Sequence, residues 1–74
     1  MKPEIVKPDA LHGGWGVQFQ SKSEEERSHF KQFCWQNFKR LKPFLQGDSQ
    51  GWVYFEFWAE TNENEIKTIL DGWE

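Results

Sequence analysis

The fold is decided by one stretch near the end of the chain, Trp52–Glu60, which reads WVYFEFWAE. Successive side chains of a strand point to opposite faces, so this stretch has two distinct rows. One row is apolar and predicts a core face: Val53, Phe55, Phe57 and Ala59. The other row mixes large rings with carboxylates: Trp52, Tyr54, Glu56, Trp58 and Glu60. The second row is either another core face or a docking surface, and the function depends on which.

The length and composition predict a single small domain, residues 1–74. Only ten residues are Ile, Leu or Val, whereas thirteen are aromatic. A few rings, each burying about 150–250 Å², can therefore build most of the core of a chain this short.

Two features predict a cytoplasmic protein without membrane contacts. Cys34 is the only cysteine, so no intrachain disulfide can form. The N-terminus lacks the apolar run of a signal peptide, and no stretch has the length of a membrane span.

The net charge of −3 hides an asymmetry along the chain. Residues 22–42 contain six basic and three acidic residues, whereas residues 48–74 contain seven acids and one lysine. An acidic half of this kind favours a partner with a basic surface.

The first twenty residues predict strands. Residues 1–13 read as an extended arm or short edge strand plus a loop, because Ile5 and Val6 lie between two prolines. The run WGVQFQ at 15–20 then alternates as a half-buried strand, in which Gly16 leaves room for a neighbouring side chain.

A long helix follows this strand. Ser21 or Ser23 can cap it, each with a glutamate three residues on. Pro43 predicts that the helix stops near Leu41. Its apolar stripe is Phe30, Cys34, Phe38, Leu41 and Leu45, with Phe33 beside it.

The rest of the chain predicts a loop at QGDSQG (46–51), a strand, and a shorter helix capped by Asn62 with Glu65 as its box partner. The stripe of that helix is Ile66, Ile69, Leu70 and Trp73. We therefore expect an α+β fold of order β-β-α-β-α, with a two- or three-stranded sheet packed on one long helix and a shorter C-terminal helix. Either parallel or antiparallel pairing of the two strong strands fits this order.

Two interpretations of the aromatic row remain open. The C-terminal helix can fold over Trp52, Tyr54 and Trp58, since a strand apolar on both faces is usually covered twice. Alternatively the rings await a partner, because Tyr and Trp are enriched at binding hot spots and Glu56 is costly to bury unpaired. Trp35, well off the helix stripe, is either a flank contact or a further exposed anchor.

The sequence offers little for catalysis or cofactor binding. His12, His29 and Cys34 lack the spacing of a zinc site, and Asp48-Ser49 is an ordinary turn pair. We expect no enzyme activity, no metal and no cofactor.

The leading hypothesis is a non-enzymatic protein-binding module, an inhibitor or regulator of a partner with a basic surface. Its site residues are Trp52, Tyr54, Glu56, Trp58, Glu60 and Trp35. A two-fold homodimer through the same face is a variant. The alternative function is binding of single-stranded nucleic acid on the sheet aromatics, which the acidic row disfavours. Its phosphate contacts would be Lys31, Lys39, Arg40 and Lys42.

Overall fold

The computed structural model describes residues 2–7 and 14–73, apart from the Ser49 side chain. The predicted loop after the first strand lies outside these residues. In chain order the elements are β1 Glu4–Val6, β2 Gly16–Gln20, α1 Glu24–Asn37, a 3-10 turn Lys39–Leu41, β3 Phe44–Ser49, β4 Trp52–Glu56 and α2 Glu63–Leu70.

Within the described residues the strands form one antiparallel sheet of order β1-β2-β4-β3. The α+β class is thus confirmed, but the predicted strand count and order are wrong. The segment 46–51, predicted as a loop, contributes most of β3. Gln50 and Gly51 make the tight hairpin turn, with φ of 54° and 84°. Two positive φ values match the twist of paired strands, and Gly accepts such a value at no steric cost.

The pairing of the two strong strands is antiparallel, with Val17 opposite Phe55. The hairpin explains why: the chain leaves α1, runs along the sheet edge as β3, and turns back into β4. The strand β4 is also shorter than the quoted stretch, since it ends at Glu56 and a turn follows at Ala59 and Glu60.

The helices begin where the sequence predicts. The Ser23 hydroxyl accepts from the Glu26 amide, and the Asn62 side chain accepts from the Asn64 amide. The predicted box partner of Asn62, Glu65, pairs with Arg40 instead. The first helix ends earlier than predicted, at Asn37. Pro43 disfavours helical geometry at the residue before it, and Lys42 takes a left-handed conformation instead, φ 53°.

Both helices pack on the same side of the sheet. Phe19 of β2 stacks on Phe30 of α1 at 4.5 Å between ring centroids. Trp73, just after α2, lies edge-on to the same two rings at 5.6 and 5.2 Å. One core results: Val17, Phe19, Phe30, Cys34, Phe38, Val53, Phe55, Phe57, Ile66 and Leu70.

The interpretation in which α2 covers the aromatic row is therefore wrong. The apolar stripe Ile66–Leu70 is buried in the core that α1 and the sheet share, so it does not cover the opposite face. Neither helix in the described part of the chain is long and apolar enough to cross a membrane.

Candidate functional site

The face of the sheet opposite the helices is the candidate site, and we call it the open sheet face. Along β4 it presents Trp52, Tyr54 and Glu56, because Val53 and Phe55 between them point into the core. The neighbouring strands flank this row with Gly16, Gln18 and Gln20 from β2, Phe44 and Gly47 from β3, and Glu4 and Val6 from β1.

Tyr54 lies across β2 at the centre of this face. An ideal Cβ on Gly16 would be 2.6 Å from its hydroxyl oxygen, so only a glycine fits beneath the phenol. This confirms the predicted role of Gly16. The hydroxyl is buried and has no hydrogen-bond partner among the described residues. Burial, and then the charge of Glu56, raise the pKa of Tyr54, so the phenol stays neutral at physiological pH.

The electrostatics of the open sheet face are acidic. Glu56 is only 5% exposed and faces Gly16 on one side and Phe44 on the other. Glu4, at the β1 edge, accepts a hydrogen bond from Gln18 at 3.0 Å. The four described strands contain no Lys or Arg. A positively charged partner would thus meet favourable charge on this face.

Trp58 continues the aromatic row past the end of β4. Its indole N–H donates to the Lys42 carbonyl at 3.1 Å, and its ring packs on Phe44 with centroids 5.1 Å apart. The ring remains 41% exposed. Phe44 was not predicted as a site residue, because residues 46–51 of its strand were interpreted as a loop and Leu45 as part of the helix stripe. Its position before the apolar Leu45 was the available signal.

Glu60 was predicted to lie in the strand row, and this prediction is wrong. The strand β4 ends at Glu56 and the chain turns at Ala59 and Glu60, so Glu60 instead lines a groove of about 450 Å³ beside Trp58. The groove runs between the 3-10 turn and the start of α2, where Arg40 pairs with Glu65. Trp58 is the residue that joins this groove to the open sheet face.

Trp35 lies on the helix side of the sheet, away from the other site residues. Its ring is edge-on to Phe55 at 5.8 Å, and the side chain is 49% exposed. The structure thus brings Trp52, Tyr54, Glu56 and Trp58 along one row and separates Trp35 from them.

The basic residues predicted for nucleic-acid contacts are also off the open sheet face. Lys31 of α1 pairs with Asp48 at 2.5 Å, and Arg40 pairs with Glu65. Lys39 and Lys42 lie in and beside the 3-10 turn. Arg40 and Lys42 line the groove beside Trp58, whereas Lys31 pairs with Asp48, so the four cations do not form one row along the aromatic rings.

The candidate catalytic residues are not brought together in the described part of the chain. His12 lies outside that part, and His29 is exposed on α1. Cys34 is fully buried, and burial raises the pKa of its thiol far above the usual range. Among the described residues no group of three metal-binding side chains occurs.

No protein-family model, curated protein or solved structure matches this chain. The interpretation of the site accordingly depends on its own geometry and charge.

Proposed function

We propose that this protein is a non-enzymatic binding module that docks its open sheet face on the basic surface of another protein. One observation carries the proposal: both helices pack on one side, which leaves Trp52 39% exposed beside Tyr54, on a sheet whose described strands contain no Lys or Arg. Large rings on a sheet face that neither helix covers are suited to anchoring a partner.

The two parts of the site have separate roles. Trp52 and Tyr54 supply apolar area at a low entropy cost, which slows dissociation. The carboxylates of Glu56 and Glu4 supply a negative potential, which raises the rate of encounter with a cationic surface. A small acidic module of this kind would act as an inhibitor or regulator by blocking the basic surface with which its partner binds other molecules.

Binding of single-stranded nucleic acid on the same rings is the competing function. It requires cations that track the phosphates next to the stacking rings. The ion pairs of Lys31 with Asp48 and of Arg40 with Glu65 argue against it, as do the acids on the open sheet face.

The experiment compares capture from a lysate of the native host by three immobilised proteins: wild type, Trp52→Lys and Gln32→Lys. Both variants add the same charge at an exposed position, but Gln32 lies on α1 on the other side of the sheet. We expect one partner to be retained by wild type and Gln32→Lys and lost by Trp52→Lys, with circular dichroism unchanged. The captured partner is then purified and titrated.

Two results would overturn the proposal. One is equal capture by Trp52→Lys and wild type, which would place any interface elsewhere. The other is salt-sensitive quenching of tryptophan fluorescence by single-stranded oligonucleotides with no protein partner retained, which would favour the nucleic-acid function.

A further inference from the structure

The two edges of the sheet differ in length. In the described part of the chain β1 and β3 each pair with a neighbour on one side only. The strand β1 has three residues and β3 has six, and each begins directly after a proline, Pro3 or Pro43. An edge strand presents unpaired backbone N–H and C=O groups that can pair with another strand. The β3 edge is the longer of the two.

The β3 edge lacks most devices that block such pairing. Strand edges are commonly protected by lysines, prolines or inward-pointing charges. The sequence of β3, FLQGDS, contains no Lys, Arg or Pro. Its one charge, Asp48, is neutralised by Lys31. A bulge between Leu45 and Gly47 is the single irregularity, and it shortens the run available for regular pairing.

An exposed indole lies beside this edge on the helix side. Lys31 and Trp35 are one turn apart on α1; the first binds Asp48 of β3, and the second packs on Phe55, which is opposite Leu45 of β3. Trp35 therefore lies next to β3 with about half of its surface exposed. A strand added to β3 would place apolar side chains against this ring.

We propose that β3 pairs antiparallel with β3 of a second copy of the chain about a two-fold axis. The pairing would join two four-stranded sheets into one and cover Trp35 of each copy. A second copy fits this edge because the edge carries no net charge, so two copies do not repel each other there. The open sheet face carries Glu4 and Glu56 in every copy and would repel itself. The proposal uses a different surface from the proposed function and is independent of it.

Sedimentation from micromolar to millimolar protein tests the proposal on the purified chain. We expect the mass to rise with concentration from 8.9 kDa to about twice that value. Gln46→Lys puts a positive charge on the β3 edge of both copies, and Trp35→Lys removes the covering ring. Each substitution is expected to weaken the dimer about tenfold. Gln46→Lys does so because like charges repel each other across paired strands, and Trp35→Lys does so because the apolar contact with the ring is lost.

Gln20→Lys is the matched control, since Gln20 is exposed on the open sheet face and not on the β3 edge. It should leave the dimer unchanged. Circular dichroism checks that each variant is folded, and Trp35→Lys tests the edge without altering β3 itself. A wild type that stays at the monomer mass to millimolar concentration would overturn the proposal. So would a dimer that Gln20→Lys disrupts and Gln46→Lys does not.

Discussion

The Tyr54 phenol lies directly over Gly16, with 2.6 Å between the Tyr54 hydroxyl oxygen and the place where a Cβ on residue 16 would be. The two residues are diagonal neighbours on β4 and β2, and this contact fixes the central ring of the open sheet face. The shape of the proposed docking surface thus depends on residue 16 being a glycine.

Gly16→Ala should destabilise the protein by about 1–3 kcal/mol, because the new methyl group displaces the Tyr54 ring. Gly47→Ala is the control, since its Cβ would meet nothing nearer than 3.9 Å. Urea unfolding measures both. In a Tyr54→Ala background the cost of Gly16→Ala should fall sharply; an equal cost in both backgrounds would show that the Gly16–Tyr54 contact is not responsible.

Trp73→Ala should cost more stability than Trp52→Ala. Trp73 packs edge-on against Phe19, Phe30 and Phe33 in the core, so its loss should cost about 2–3 kcal/mol. Trp52 is on the open sheet face, and truncating it should cost under about 1 kcal/mol. Thermal unfolding of both variants gives the comparison. The reverse order would mean that the open sheet face is the buried one.

Ser23→Ala should remove about 1 kcal/mol of stability, because the Ser23 hydroxyl caps α1 through the Glu26 amide at 3.1 Å. Ser28→Ala is the same chemical change at an exposed position inside the helix, where Ala is the better helix former. It should be neutral or slightly stabilising. Denaturation by guanidinium measures the difference, and equal effects of the two substitutions would exclude Ser23 as the cap.

Stability should fall as the pH rises above about 8.5, the ordinary pKa of a thiol. Burial raises the pKa of Cys34, so the unfolded chain loses the thiol proton while the folded chain keeps it. The folded state is then penalised by up to about 1.4 kcal/mol per pH unit. Unfolding measured from pH 7 to about 9.5, below the ordinary tyrosine pKa of about 10, should show this slope in wild type without a contribution from Tyr54. Cys34→Ala should be less stable at pH 7 yet flat over the same range; a slope that survives in this variant would assign it to another group.

Much of the fold was predictable because local patterns and tertiary packing agree. Alternation identified β2 and β4, and cap residues marked the starts of both helices. The strand β3 was missed because Gly47 and Asp48 favour turns, and its strand geometry depends on pairing with β4 across the hairpin. Local propensity carries no information about the pairing of β3 with β4.

The site was predictable as a row along β4 but not as a surface. Alternation alone placed Trp52, Tyr54 and Glu56 together. It could not say which side α2 would take, because the stripe Ile66–Leu70 matches either apolar face of the sheet. The position of Trp35 was missed for a related reason: a helical wheel gives its angle on α1 but not which strand runs beneath it.

The indole signals of the protein in solution test the central claim, that the aromatic row along β4 is uncovered, most directly. A neutral gadolinium probe broadens NMR signals of groups that solvent reaches, and Trp→Phe variants assign each indole. We expect strong broadening at Trp52 and Trp35 and little at the Trp73 indole N–H, which is buried. Protection of Trp52 equal to that of Trp73 would contradict the account, because it would mean that the face is covered and cannot dock a partner.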